Sequence, residues 1–333
     1  INSVLLNSRQ TAVGFALKNG TVAIAPTADE DAPQDRIHVS AENGRSTIKP
    51  RSKPIEPLKI IEVAAGEDLL FGTIGGEDFV AGSAGGPLFR IRPDGDKSPI
   101  SLELDANVSA IDHCAANGQF AAVNGTRVTV FDAETVTPAW RLDHGEPITA
   151  LAFAPNCNSI AIAHDHGLTI WPLIDVPSKT IDIAFNGRPT ALSWSPDGNW
   201  IACPLSDGGF QLSCLKDGAT NALTDYPSSV GSIVWNEPAN ALVTSGAFRI
   251  TAWSMDSPPI TDAAKGVLET GRAGLVPISA IASHPSRNLV VAGYENGYLA
   301  IAQIGARDEL VLNAQDNGAV TNLALSRDGR SLA

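Results

Sequence analysis

Two histidines flank an aspartate in residues 163–167, and these side chains could in principle bind a metal ion. Zinc sites need three or four convergent ligands, and no further ligand set lies near His164, Asp165 and His166 in the chain. Polar residues of this kind are also routine in hairpin turns, where Asp hydrogen-bonds its own backbone. We therefore predict a turn here and no metal site.

Residues 72–86 are rich in glycine and read "GTIGGEDFVAGSAGG". The segment has no nucleotide-binding motif and no nucleophile motif. A phosphate loop needs Gly-Lys-Ser/Thr at a strand-to-helix turn, and the G-x-S-x-G elbow of hydrolases is also missing. The six histidines occupy unrelated positions: His38, His113, His144, His164, His166 and His284. No Ser/His/Asp set or carboxylate pair stands out, so we predict neither catalysis nor a cofactor.

The four cysteines stand singly in the sequence, at Cys114, Cys157, Cys203 and Cys214. There is no C-x-x-C pair of the kind that marks zinc or redox sites. Most are expected to be small buried apolar residues. A disulfide between Cys203 and Cys214, across one hairpin, is left open.

The composition of the chain narrows the class of partner. The chain has 333 residues, a formal net charge of −13 and 44% apolar residues. An acidic surface repels phosphate backbones, which argues against nucleic-acid binding. No apolar stretch reaches the roughly 18 residues of a membrane span. The expected compartment is the cytoplasm, and a periplasmic or secreted location stays open because a cleaved leader would not be visible.

A short apolar pattern recurs eight times along the chain, and such repeats determine the fold. Each copy can be anchored at one apolar residue of its first strand: Val4, Leu70, Ile111, Leu151, Leu192, Ile233, Ile281 and Leu323. Neighbouring anchors are 40 to 42 residues apart, except for two longer steps of 66 and 48. A period near 41 is typical of the four-stranded blades of a β-propeller.

The clearest copy is residues 189–215, "PTALSWSPDGNWIACPLSDGGFQLSCL". An Asp-Gly pair separates its first two apolar strands, and Asp-Gly-Gly separates the second from the third. Such pairs tolerate the positive φ of tight hairpins. A sheet of this kind cannot bury both faces alone, so the copies are expected to stack radially around an axis.

Residues 1–333 are therefore predicted to form a single all-β propeller of four-stranded antiparallel blades. We expect eight blades with the last one partial, and seven is the alternative. The blades begin near residues 1, 67, 108, 148, 189, 230, 278 and 320. The segment "RIHVS" is expected to be the outer strand of the first blade. Residues 41–59 are expected to be a Pro- and charge-rich connector, and residues 255–276 an insertion between blades.

The copies resemble WD40 repeats over nearly the whole chain, in a divergent form of the bacterial type. The WD40 pattern has a Gly-His before the first strand, an Asp in the second turn and a Trp-Asp that closes the third strand. One copy matches it with His144, Asp165 and Trp171. The resemblance implies that these three residues form a hydrogen-bonded structural set. It also implies a rigid protein-interaction platform that is usually not catalytic.

In a propeller, the second turns and the entries to the first strands gather on one face around the axis. The residues that the alignment places there are Lys18, Asn19, His164, Asp165, His166, Arg188, Asp207, Phe248, Tyr294, Glu295 and Asn296. Aromatic residues and Arg contribute most of the energy at interfaces, so Phe248 and Tyr294 are the expected anchors.

The predicted function is a non-catalytic scaffold that binds a protein or peptide partner through this face. Two alternatives remain. One is a propeller enzyme, or a ligand- or metal-binding propeller, with its site over the axial channel. The other is a structural accessory subunit of a multiprotein complex.

Overall fold

The structure, a computed structural model, describes residues 1–27, 38–42, 45–49, 58–101, 108–174, 179–314 and 318–333. Within these ranges the chain forms seven four-stranded sheets and one two-stranded hairpin. Neighbouring strands in each sheet are antiparallel. We call the sheets blades one to seven in chain order.

The first three blades follow the sequence repeat. Blade one consists of β1, β2, β3 and β6, which are Ser3–Leu6, Ala12–Ala16, Thr21–Pro26 and Lys59–Glu62. The separate hairpin between β3 and β6 consists of β4 and β5, which are His38–Glu42 and Arg45–Lys49. Blade two consists of β7 to β10, which are Leu69–Ile74, Asp78–Ser83, Leu88–Ile91 and Lys97–Ile100. Blade three consists of β11 to β14, which are Ala110–Cys114, Gln119–Asn124, Arg127–Asp132 and Pro138–Asp143.

The remaining blades have the same strand order. Blade four consists of β15 to β18, which are Ala150–Phe153, Ser159–His164, Gly167–Pro172 and Ile181–Ala184. Blade five consists of β19 to β22, which are Ser193–Trp194, Trp200–Pro204, Phe210–Cys214 and Thr220–Leu223. Blade six consists of β23 to β26, which are Ile233–Asn236, Ala241–Thr244, Ile250–Ser254 and Val267–Thr270. Blade seven consists of β27 to β30, which are Ile278–Ser283, Leu289–Tyr294, Leu299–Gln303 and Glu309–Asn313.

The number of blades corrects one expectation. The all-β propeller of four-stranded antiparallel blades is confirmed, but the described residues form seven blades and not eight. Residues 318–333 contain the eighth copy of the sequence pattern, yet their one β-bridge joins Leu325 to Leu332. A blade has four paired strands, and this copy adds no further sheet to the seven within the described residues.

The C-terminal segment, residues 318–333, lies between blade seven and blade one. Ser279 Oγ of blade seven donates to the carbonyl of Val320 at 2.5 Å. Asn322 Nδ2 donates to the carbonyl of Asn2 at 3.0 Å, next to the first strand of blade one. The segment therefore bridges the first and last blades of the ring.

The outer strand of blade one is β6, which corrects the expectation that "RIHVS" forms it. β6 pairs with β3, and its Ile61 is buried in the core shared by blades one and two. Residues 38–42 instead pair with residues 45–49. The predicted connector of residues 41–59 therefore contains β5, and its residues 43–44 and 50–57 lie outside the described residues. The insertion of residues 255–276 begins inside blade six, between β25 and β26.

The middle strands are apolar on both faces because each blade packs between two neighbours. In β16, Ile160 and Ile162 lie in the core shared with blade three. Ala161 of the same strand lies in the core shared with blade five. Side chains alternate across a strand, so one apolar run serves both interfaces.

Hydrogen bonds from tryptophan side chains also connect the blades near the axis. Trp194 Nε1 donates to the carbonyl of Ala152 in the preceding blade at 3.2 Å. Trp235 Nε1 donates to the carbonyl of Ser193 at 3.3 Å. In both cases the partners are 42 positions apart. This separation is close to the repeat period seen in the sequence, so equivalent positions of adjacent blades are in contact.

The disulfide in the structure is not the Cys203–Cys214 bond that the sequence left open. Cys114 of blade three and Cys157 of blade four form a disulfide, with Cα atoms 6.0 Å apart. Cys203 and Cys214 are buried free thiols. In the hairpin, Cys203 faces Gln211 while Cys214 faces Trp200. The two thiols are therefore out of register with each other, and no bond joins them.

Candidate protein-interaction face

The second turns of the blades meet the loops that enter the first strands at one end of the propeller. Main-chain hydrogen bonds join the two kinds of loop: Gly246 N donates to the carbonyl of Ile278 at 2.8 Å, and Glu295 N donates to that of Pro277 at 3.1 Å. We call this end the second-turn face. It is the face on which the sequence places the candidate binding residues.

Two exposed apolar side chains lie in adjoining loops on this face, at blades six and seven. Leu275, in the loop before β27, is 94% exposed, and Phe248, in the turn after β24, is 42% exposed. Gly274 N donates to the carbonyl of Phe248 at 2.8 Å, which holds the two loops side by side. We call this pair the Phe248–Leu275 patch. Neighbouring exposed apolar groups are typical of a contact surface.

Tyr294, the other expected anchor, lies inside the protein and is only 5% exposed. It shares one face of β28 with Val290 and Ala292, and all three belong to the core between blades six and seven. Burial raises the pKa of Tyr294 to about 12, so the phenol is neutral at physiological pH. Its ring packs edge-on against Tyr298, with centroids 5.2 Å apart. Tyr294 therefore packs in the core and adds almost no exposed surface to this face.

Leu275 is a candidate that the sequence analysis missed. It lies in residues treated as an insertion, so the repeat alignment gave it no position. The available signal was a leucine directly after Gly274 and shortly before Pro277, where a surface loop would normally be polar. The structure places this leucine in the loop just before β27, where it is exposed and does not enter the core.

Hydrogen-bonded polar groups lie in the loops next to the patch. Ser228 Oγ donates to Glu295 Oε1 at 3.2 Å, which connects the entry of blade six to the second turn of blade seven. Arg249 donates from Nε and Nη2 to the carbonyl of Gly271, at 3.3 Å each. Asn296 Oδ1 accepts from the Tyr298 amide at 3.2 Å. An apolar centre with an ordered polar rim is the usual anatomy of a protein interface.

Blade four presents a hydrogen-bonded chain around His144. His144 Nε2 lies 3.0 Å from Thr169 Oγ1, and Thr169 Oγ1 donates to Asp182 Oδ1 at 2.7 Å. His144 Nδ1 is buried and has no hydrogen-bond partner among the described residues. The chain of contacts connects the loop that enters the blade to its third and fourth strands.

The other two residues of the WD-type set lie elsewhere. Asp165 Oδ1 is 3.1 Å from Arg188 Nε, and both side chains are exposed on the second-turn face. Trp171 packs against the core between blades three and four, and its Nε1 has no partner among the described residues. The structure therefore brings His144 to Thr169 and Asp182, and it brings Asp165 to Arg188.

The histidines of the "AHDHG" turn lie near one carboxylate. His164 Nδ1 is 3.3 Å from Glu146 Oε2, and its ring lies 4.6 Å from that of His144, centroid to centroid. Burial and the nearby His144 lower the pKa of His164 more than Glu146 raises it, so His164 is neutral at pH 7. Within the described residues, no three His, Cys, Asp or Glu side chains converge as a metal site.

The remaining predicted residues lie on turns of other blades. Lys18 and Asn19 are exposed in the turn between β2 and β3, where Asn19 Oδ1 accepts from Thr21 Oγ1 at 2.7 Å. Asp207 is exposed in the turn between β20 and β21, and His166 is exposed in the corresponding turn of blade four. They extend the polar part of the face away from the Phe248–Leu275 patch.

A cavity of about 570 Å³, widely open to solvent, lies among the first strands around the axis. First strands of blades one, five, six and seven and the C-terminal segment line it, with Leu6, Trp194, Trp235 and Leu323 among them. No charged side chain occurs among the described residues that line it. Its walls can offer apolar contact but no acid–base chemistry.

Comparison with known proteins agrees with this geometry. Residues 180–212 match the family model described as "WD domain, G-beta repeat". This match spans the outer strand of blade four and most of blade five. In the described ranges, no helix has the length and apolar character needed to cross a membrane.

Three solved structures illustrate the likeness in fold. The C-terminal WD40 domain of Sif2 is 12% identical, with a TM-score of 0.64 over 99% of this chain and 93% of that chain. A chain of the mitotic checkpoint complex is 15% identical, with a TM-score of 0.57 over 79% of this chain and 82% of that chain. The computationally designed protein Ika8 is 21% identical, with a TM-score of 0.57 over 75% of each chain. The predicted resemblance to WD40-repeat propellers is thus confirmed.

Proposed function

We propose that this chain, a β-propeller of the WD40-repeat type, is a non-catalytic scaffold that binds a protein or peptide partner through its second-turn face. WD40 propellers are generally interaction platforms, and one of the similar structures belongs to a multiprotein complex. A partner with basic residues suits the net charge of −13, which steers oppositely charged molecules. The role of a subunit within a larger assembly is compatible with the same face.

The Phe248–Leu275 patch is the observation that carries this proposal. An almost fully exposed leucine beside a half-exposed phenylalanine gains free energy when a partner covers it. The ordered carbonyl and carboxylate contacts of Arg249 and Glu295 supply a rim of defined polarity. Interface energy concentrates in such central apolar anchors, so we assign the anchoring role to Phe248 and Leu275.

Site-specific photo-cross-linking tests this assignment. Leu275 is replaced by p-benzoylphenylalanine, and the protein is irradiated in extracts of its source cells. The matched control carries the same replacement at Ile181, which is 44% exposed on the outer strand of blade four. We expect a discrete cross-linked protein from position 275 and none from position 181.

The same experiment can contradict the proposal. Cross-linking of the same proteins from both positions would show non-specific apolar contact. A discrete product from position 181 alone would move the interface to the outer strands. In either case the second-turn face would lose its assigned role.

The disulfide is also the basis of our proposal for the cellular compartment of the protein. Disulfides persist in oxidising compartments and are rare in the cytosol of mesophiles. The bond between Cys114 and Cys157 therefore favours the periplasmic or secreted location over the cytoplasm. Thiol labelling of the protein inside intact cells tests this: two labelled cysteines after denaturation support an oxidising compartment, and four support the cytoplasm.

Binding of a small ligand is a second candidate, and the axial cavity favours it. Its volume of about 570 Å³ falls within the usual range for small-molecule sites, about 300 to 1,000 Å³. The uncharged walls suit an apolar molecule. Native mass spectrometry of the purified protein would reveal such a ligand as a constant added mass that disappears on denaturation.

A further inference from the structure

A second cavity lies between blades five and six, at the opposite end of the sheets from the second-turn face. Its volume is about 210 Å³. The turn between β19 and β20 and the turn between β23 and β24 form its two sides, and Met255 closes it behind β25. The volume is below the usual range for drug-sized ligands, about 300 to 1,000 Å³, so a single side chain is the better match.

Two indole rings form the apolar part of this pocket. Trp235 Nε1 donates to the carbonyl and the Oγ of Ser193, at 3.3 and 3.1 Å, which fixes the orientation of its ring. The main-chain amide of Trp200 donates to Ser195 Oγ at 2.9 Å. Trp200, Trp235 and Met255 are partly buried and pack against the core between blades five and six. The pocket therefore has aromatic walls on an ordered base.

The polar part of the pocket is acidic. Asp197 Oδ1 accepts from Ser195 Oγ at 2.5 Å and from Asn199 N at 3.1 Å. Burial alone would raise the pKa of Asp197, but these hydrogen bonds outweigh it and hold the pKa below its usual value. Glu237, exposed in the facing turn, is the second carboxylate. Among the described residues that line the pocket, no basic side chain balances the two.

Aromatic faces and carboxylates together attract a cation, and the shape of the cation decides between the two basic side chains. A guanidinium is planar, stacks on indole rings and donates several hydrogen bonds to carboxylates at once. An ammonium is compact and strongly hydrated, so it loses more solvation on entering. We infer that this pocket binds the arginine side chain of a protein or peptide, with the guanidinium between the indoles and the two carboxylates.

The site is independent of the Phe248–Leu275 patch, because the two lie at opposite ends of the sheets. Occupation of both would let the scaffold hold two polypeptides, or two segments of one partner. The inference stands or falls without the proposed function, since its test uses a small probe and no partner protein.

NMR titration of the intact protein with Nα-acetyl-arginine methylamide tests the inference. The indole N–H signals of Trp200 and Trp235 are followed at low ionic strength, where charge pairs are least screened. We expect saturable shifts of both signals. The neutral isostere Nα-acetyl-citrulline methylamide is expected to bind at least about ten-fold more weakly, because it loses the cation–π and carboxylate interactions.

Variants locate the binding. Glu237→Gln is expected to raise the dissociation constant of the arginine probe about two- to five-fold, as for an exposed ion pair. Glu134→Gln is the matched control, because it removes one exposed carboxylate from the turn between β13 and β14 of blade three. It should leave the dissociation constant unchanged, as should Phe248→Ala combined with Leu275→Ala.

Three results would overturn the inference. Equal binding of the citrulline probe would show an apolar slot without charge selection. Tighter binding of Nα-acetyl-lysine methylamide would assign the pocket to an ammonium. Shifts elsewhere in the spectrum, with the Trp200 and Trp235 signals unmoved, would show that the probe binds outside this pocket.

Discussion

Two interfaces between blades arise from the same repeat but are held together by different contacts. One lies between blades three and four, and the other between blades five and six. The first carries the Cys114–Cys157 disulfide within an apolar core. The second is joined through the indole of Trp235 and leaves an open pocket. One interface is thus linked covalently, and the other leaves a pocket large enough for a side chain.

The disulfide of the first interface depends on the turn between the first two strands of blade four. In blade five this turn contains Gly198 at a positive φ of 72°, as expected for an Asp-Gly pair. In blade four Cys157 occupies the equivalent position with a positive φ of 58°, a conformation uncommon for residues other than glycine. The cysteine accepts this backbone and gains a covalent link to the preceding blade. The interface between blades three and four is therefore linked covalently, whereas the turn of blade five forms one side of the pocket.

Removal of the disulfide should have the largest effect. The bond joins residues 43 positions apart. Closing a loop of this size lowers the conformational entropy of the unfolded chain and so raises its free energy by about 4 kcal/mol. We expect Cys114→Ser with Cys157→Ser to lower the free energy of urea-induced unfolding by about this amount. A reducing agent should produce the same loss in the unmodified protein and no further loss in the double variant. Equal stability with and without reductant in the unmodified protein would contradict this account of the joint.

Asp112, at the same interface, should give a pH-dependent effect. Its carboxylate accepts from the Phe153 amide of blade four at 2.7 Å, and burial raises its pKa to about 6. The folded protein thus binds this proton more tightly than the unfolded chain does. The stabilisation from the protonated group is complete below pH 4 and is lost as the pH rises through 6.

The variant Asp112→Asn keeps a side-chain carbonyl for the Phe153 amide and cannot ionise. Relative to the unmodified protein, it should gain up to about 3 kcal/mol at pH 7.5 and nothing at pH 4. Urea-induced unfolding of the two proteins at pH 7.5 and at pH 4 measures these differences in the free energy of unfolding. A variant that is less stable at pH 7.5 would show that the buried carboxylate contributes net stability at this joint.

Trp235→Phe should have the smallest effect of the three, at the open interface. It removes the two hydrogen bonds to Ser193 and keeps an aromatic ring, so we expect a loss of about 1 to 2 kcal/mol. The disulfide interface should be unaffected, and reduction should still cost the same amount. A loss as large as that caused by disulfide removal would mean that the two joints contribute equally.

The sequence predicts the blades well because one period fixes contacts between neighbours. Trp194 and Trp235 each reach a residue 42 positions earlier, so the repeat length is also the spacing of the inner strands. The expected eighth blade fails because a first-strand pattern, as in residues 320–325, says nothing about whether three further strands follow. The outer strand of blade one was misplaced because outer strands carry the weakest apolar pattern.

The candidate site is less predictable because exposure depends on the side of a strand and on loop packing. Tyr294 follows Val290 and Ala292 at alternate positions of β28, and that alternation indicates burial once the inner face is known. The Cys114–Cys157 pair joins two different copies, so the sequence does not show it until the neighbouring blades are placed side by side. Its sequence signal was a cysteine at a position that two other copies give to glycine, at Gly198 and Gly329.

The central claim is that the Phe248–Leu275 patch anchors a protein partner. Its most direct test is the affinity of the cross-linked partner for the protein, measured by isothermal titration. Phe248→Ala with Leu275→Ala should weaken binding about 100-fold, as expected for two central anchors, with the melting temperature unchanged. An affinity within two-fold of that of the unmodified protein would contradict the claim.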